Sequence, residues 1–169
     1  MKKIKDPVSG LTHLVGAIFS VAGLVLLILQ ATFHGEGAWD IVSFTIFGTS
    51  LILLYTFSSL YHLCNVGTKA TSVLRTFDHI MIYMLIAGTY TPICLGPMRG
   101  GWGWSIFGVV WGIAILGIFF TIFWKKAPRW VSTSLYLAMG WIVLIAIYPM
   151  IQYFQKANSL DSLIWLVAG

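Results

Sequence analysis

The sequence predicts an all-α fold, a polytopic bundle of transmembrane helices, and three observations carry that expectation. Of 169 residues, 59% are hydrophobic and only 9% are charged. The mean hydropathy of +0.90 lies far outside the balance of a soluble domain. The apolar residues fall into runs of about 20, the length a helix needs to cross hydrocarbon. Every interruption carries turn or breaker chemistry: HGEGAWD, NVGTKATS, GPMRGG, KKAPR and QKANSLD.

Five complete spans are expected in one transmembrane domain, at about 11–33, 41–63, 77–95, 104–124 and 130–151. The first follows Lys2, Lys3 and Lys5, which resemble the head of a signal peptide. Its apolar stretch is longer than a cleaved core and no small-x-small pattern stands near Gln30 or Ala31, so it reads as a retained helix. The connections are short enough to force neighbouring helices antiparallel. Pro92 and Pro149 are expected to kink or end the third and fifth spans at the outer side. In the fourth span, GVVWG at 108–112 fits a small-xxx-small packing face. After Asp161 only SLIWLVAG remains, so residues 160–169 read as the start of a sixth span inside which the sequence is cut off.

Orientation follows from the basic residues. With the N-terminus inside, Lys2, Lys3, Lys5, Lys69, Arg75, Lys125, Lys126 and Arg129 are cytoplasmic, and only Arg99 and Lys156 are outside. Trp39, Trp102 and Trp104 then lie near outer ends and Trp124 and Trp130 near inner ones, at the headgroup level that indole prefers. The expected location is the cell membrane, multi-pass, with a cytoplasmic N-terminus. The net charge of +5 is scattered in small groups between apolar runs, which argues against nucleic acid as a partner and for membrane lipids. A homo-oligomer stays open. Cys64 and Cys94 fall near opposite faces of the bilayer, so a disulfide between them is not expected.

Against this background a few polar residues stand out. Ser58 and His62 are four residues apart and share a helical face. Asp78, near the start of the returning helix, falls at a similar depth, and His13 at the start of the first helix reaches the same level. His79 points about 100° away from Asp78, and His34 lies alone in the first outer loop. Imidazole suits zinc and a carboxylate can orient a water or a neighbouring ligand, yet His62 alone cannot complete such a site. The plainer readings stand beside this one. His62 could be an interfacial hydrogen-bonding residue, Asp78 could favour the positive end of its helix, and Ser58 could return a hydrogen bond to the preceding turn.

Several strings together resemble hemolysin III proteins, a bacterial branch of the progestin and adipoQ receptor superfamily. They are LTHLVGA at 11–17, SSLYH at 58–62, LRTFDHIMIYMLIAGTYTP at 74–92, GWGWSIFGVVWG at 101–112 and PRWVSTSLYLAMGW at 128–141. The resemblance implies a seven-helix membrane protein with its N-terminus inside and a zinc site near the cytoplasmic end. The superfamily motif is Ser-xxx-His in helix two, Asp early in helix three and His-xxx-His in helix seven. Ser58 and His62 match the first part and Asp78 the second; the third has no counterpart in residues 1–169. By this resemblance His62 would be a direct zinc ligand, Asp78 would orient the attacking water, and Ser58 would support the site. The implied function is a zinc-dependent hydrolase acting on lipid amide or acyl bonds, similar to alkaline ceramidases. Its alternatives are a cytolytic, pore-forming protein, as the family name asserts, and a non-catalytic receptor or regulator of membrane lipid composition.

Overall fold

Pro7 opens the first helix, where its fixed φ is already helical and its missing N–H removes no bond. The computed structural model describes residues 5–124 and 128–156, with Ile164, and for Arg129 the backbone alone. The order is α1 (Pro7–Phe33), α2 (Ala38–Leu63), α3 (Thr68–Leu95), α4 (Gly101–Phe123), α5 (Arg129–Trp141) and α6 (Val143–Lys156). Among the described residues there is no strand. The expected start of a sixth span, 160–169, lies outside the described residues except for Ile164.

Two tight turns set the antiparallel threading. After α1, Gly35 takes φ 67°, a left-handed conformation that suits glycine, and the N–H groups of His34, Gly35 and Glu36 bond to carbonyls of the last turn. The connection 34–37 therefore reverses the chain at once. A second one, 64–67, does the same between α2 and α3. Consecutive helices from α1 to α5 pack side by side, α3 also touches α5, and α6, which continues α5, touches α4. Trp39 at the start of α2 and Trp104 at the start of α4 meet edge to face at 5.6 Å, so both helices begin at one end of the bundle.

Among the described residues, four segments are long and apolar enough to cross a membrane: Pro7–Phe33, Ala38–Leu63, Gly101–Phe123 and Trp130–Lys156. The third helix is as long as these, at 28 residues, but Asp78, His79, Tyr90 and Thr91 keep its hydropathy lower. Its position explains the difference. Wrapped by α2, α4 and α5, it buries Tyr83, Ala87, Gly88, Tyr90, Thr91 and Cys94, so neighbouring protein serves polar groups that lipid could not. The outward faces are apolar instead, with Ile18, Phe19 and Leu26 on α1 and Ile115, Leu116 and Phe119 on α4 all exposed.

The core lies among α3, α4, α5 and α6, around Tyr83, Val110, Ala114, Met139, Ala146 and Met150. At Gly117 of α4 a Cβ would collide with the ring of Tyr83, so the missing side chain is what lets α3 and α4 approach. The glycines of GVVWG play no such part: a Cβ at Gly108 or Gly112 meets nothing within 4 Å, and the close packing sits elsewhere on α4.

The region expected as a single fifth span, 130–151, is two helices with a break at Ile142. The cause is a side chain from α3. The Tyr90 hydroxyl donates to the carbonyls of Met139 at 2.8 Å and Gly140 at 3.1 Å, oxygens that would otherwise continue the ladder. A side chain inserted into that ladder interrupts a helix.

Candidate functional site

The first turn of α1 and the last turn of α2 are fastened by bonds of several kinds. The Asp6 N–H donates to the carbonyl of His62 at 3.2 Å, serving one of the carbonyls that a helix end leaves open. The Ser59 hydroxyl donates to the carbonyl of Gly10 at 3.0 Å. His13 Nδ1 and Ser58 Oγ share a hydrogen bond of 2.7 Å. Lys5 Nζ lies 3.7 Å over the ring of Tyr61, a cation on an aromatic face.

Within this clasp His62 is the singular residue. Its ring stands edge-on to those of His13, at 6.0 Å between centroids, and of Tyr61, at 5.0 Å. Its Nδ1 is 3.5 Å from Asp6 Oδ2, too long for a well-formed hydrogen bond, and this buried nitrogen has no hydrogen-bond partner. The Asp6 carboxylate is occupied on another side, where the Ser9 hydroxyl donates to Oδ2 at 2.9 Å. That bond, opposed by some desolvation and helped by the nearby charges of His62 and Lys5, holds the Asp6 carboxyl below its ordinary value.

Ser58 and His62 thus share one face, as their spacing predicts, and Ser58 is buried. The third candidate is placed differently. Phe57 of α2 and Phe77 of α3 stack at 4.8 Å with planes 13° apart, which fixes the relative level of the two helices. From that pair His62 is five residues toward the helix end and Asp78 one residue away from it, an axial offset of about 9 Å at 1.5 Å per residue. Ser58, by the same count, is offset from Asp78 by only about 3 Å. The short connection causes this, because α3 starts at Thr68 and climbs more than two turns before Asp78. Half-buried Asp78 is close enough to Tyr136 of α5 to interact electrostatically, and among the described residues it makes no hydrogen bond or ion pair with His62 or Ser58.

The other histidines are accounted for. The Nδ1–H of His79 donates to the carbonyl of Arg75 at 2.8 Å, and the His79 carbonyl accepts from Tyr136 Oη at 3.1 Å. His34 caps the C-terminus of α1, exposed in the turn. Two residues of the His62 surroundings carry little mark in the sequence. Asp6 stands before the first span among lysines, and His13 is recognisable only by its depth.

The donor chemistry suits one ligand of a metal site. A buried imidazole nitrogen without a partner is a lone pair, or an N–H, that the polypeptide leaves unserved. Among the described residues no three of His, Cys, Asp and Glu gather into a metal-binding group. His62 therefore fits as a ligand, and the residues around it do not by themselves complete a coordination shell.

Comparison with known proteins places the chain in a lineage. A family model described as haemolysin-III related matches residues 1–169. The chain is 46% identical over 167 residues to the hemolysin-3 homolog of Bacillus subtilis (strain 168), covering 98% of this chain and 76% of that protein. It is 40% identical over 148 residues to hemolysin-3 of Bacillus cereus, covering 87% and 67%. With the human monocyte to macrophage differentiation factor it shares 27% identity over 145 residues, covering 79% and 55%. No solved structure matches. With its helices long and apolar enough for a bilayer and its whole length matched, the chain belongs to the haemolysin-III related family of multi-span membrane proteins.

Proposed function

We propose that this protein is a membrane-embedded, zinc-dependent hydrolase of lipid amide or acyl bonds, with His62 a metal ligand and the α1–α2 clasp at the cytoplasmic end. The observation that carries this reading is the buried Nδ1 of His62, which makes no hydrogen bond, held among Ser58, His13 and Asp6 at one end of the bundle. A zinc ion there would polarise a lipid carbonyl and make water nucleophilic near neutral pH. The chain's own residues would do the rest. With His13 donating its Nδ1–H to Ser58 Oγ, the Ser58 hydroxyl is held on the face shared with His62 and keeps its own proton for a developing oxyanion. Asp78, at the depth of Ser58, would accept a proton or orient the water. No His-xxx-His pair occurs in residues 1–169, and among the described residues no group of three His, Cys, Asp or Glu gathers around His62.

The full-length protein, purified without chelators, tests this directly. His62→Ala should remove bound zinc, measured by elemental analysis. Asp78→Ala should keep zinc while lowering release of fatty acid from a ceramide or acylated lipid about 10–100-fold. Equal zinc in wild type and His62→Ala ends the metal reading, and unchanged lipid cleavage in Asp78→Ala ends the catalytic one.

The names of the Bacillus relatives favour a second reading, cytolysis through a pore. Dye release from liposomes that is indifferent to chelation and to both substitutions would select it. Against it, the hydroxyls of Ser20, Ser43, Ser50 and Thr91 each donate to a carbonyl three or four residues back in the same helix. Their polarity is satisfied internally and does not line a water path.

A further inference from the structure

On the far side of α3 from the clasp's helix α1, a cavity of about 490 Å³ opens between α3, α4 and α5. Ser72, Arg75 and His79 fall three and four residues apart and line it from one face of α3. Trp124, at the end of α4, and Ser132 and Tyr136, on α5, face them across the space. The described lining contains no Asp or Glu, and among the described residues no carboxylate pairs with the exposed Arg75 guanidinium.

Hydrogen-bonding capacity is unevenly spent here. Thr76 and Thr121 also reach the cavity, but each gives its hydroxyl proton to a carbonyl of its own helix. Ser72 and Ser132 donate to no described residue, so their protons are available to an acceptor. Among the described lining residues, Arg75 thus offers a cation without a carboxylate partner, and Ser72 and Ser132 offer hydroxyl donors. Ile82 and Phe120 close its other wall with hydrocarbon. Trp124 stands where a helix leaves the bilayer, the level of lipid headgroups, and Lys125 and Lys126 follow it directly in sequence.

A planar fork of donors beside hydroxyls, with no carboxylate in the described lining, selects a phosphate. An apolar wall on the membrane side selects one attached to acyl chains. We propose that this groove binds the phosphate group of an anionic phospholipid, with Arg75 as the counter-charge, Ser72 and Ser132 as donors, and Ile82 and Phe120 against the glycerol and first methylenes. The site is separate from the His62 cluster, and its occupancy does not depend on a metal there.

The test uses the full-length protein in phosphatidylcholine nanodiscs containing a minor fraction of phosphatidylglycerol, with retained lipid counted by native mass spectrometry. Wild type should retain phosphatidylglycerol in preference to phosphatidylcholine. Arg75→Gln should lower that preference about five-fold, Ser132→Ala should lower it less, and Lys69→Gln, an exposed cation outside the groove, should leave it intact. Ser132→Ala removes one hydroxyl and keeps the test informative if Arg75→Gln folds poorly. Equal preference in wild type, Arg75→Gln and Ser132→Ala overturns the proposal. So does an equal loss in Lys69→Gln, which would mean diffuse surface charge. Inorganic phosphate should not displace the lipid at millimolar concentration; if it does, and itself protects the protein in pure phosphatidylcholine, the groove is a free-anion site and the lipid assignment falls.

Discussion

His62 Nδ1 and Asp6 Oδ2 face each other at 3.5 Å, and the Ser9 hydroxyl already occupies that carboxylate oxygen. Because Ser9, with lesser help from His62 and Lys5, holds the Asp6 carboxyl below its ordinary 3.8, the ionised form is favoured in the fold. The stabilisation it gives is complete above the unfolded value and is lost as pH falls through the lowered folded value. The amide of Gly10, which bonds to the Asp6 carbonyl, reports on this turn. Its protection from hydrogen exchange, corrected for intrinsic rate, should fall as pH drops below 3.8, while Asp6→Asn should show weak protection that does not change over that range. Matching protection in the two proteins near neutral pH would refute a role for this carboxylate. At this scale the sequence revealed what is local. The pairing of Ser58 with His62 follows from helical periodicity. The approach of Asp6 and His13 to those residues depends on how α1 lies against α2, which no spacing within either helix encodes.

Two elements depart from the simplest transmembrane pattern, and α3 is responsible for both. It carries Asp78, His79, Tyr90 and Thr91 because protein packs around it, and its Tyr90 hydroxyl draws the carbonyls of Met139 and Gly140 out of the helical ladder of α5. Replacing Tyr90 by Phe keeps the ring and removes both hydrogen bonds. The buried Met139 carbonyl then loses its donor, for a cost of about 1–3 kcal/mol, seen as a lower midpoint of thermal unfolding in detergent. An unchanged midpoint would mean that the ladder closes across Ile142 without help. Apolar run length revealed the helices themselves, whereas the break at Ile142 was illegible, since its cause is a side chain on another helix. The depth of Asp78 was hidden for a related reason. Register between α2 and α3 is set by the stacking of Phe57 on Phe77, a contact between rings that each look like ordinary apolar positions.

For the molecule as a whole, composition carried most of the information: few charges and long apolar runs lead to an all-helical bundle before any motif is considered. Which end faces the cytoplasm rests on the distribution of lysine and arginine, and labelling checks it. In a background with Cys64 and Cys94 replaced, a membrane-impermeant thiol reagent should reach Gly35→Cys in intact cells and Lys69→Cys only after permeabilisation. The opposite pattern would invert the bundle and put the His62 clasp on the outer face.

The bond between Tyr90 and the interrupted span has one more consequence, in the order of synthesis. The hydroxyl precedes the carbonyls it serves by 49 and 50 residues, so α3 leaves the ribosome well before α5 and α6. Those helices have 13 and 14 residues, and at about 1.5 Å each neither could traverse the hydrocarbon alone. They must enter as one jointed unit, and the side chain that hydrogen-bonds the joint is already in the bilayer when they arrive.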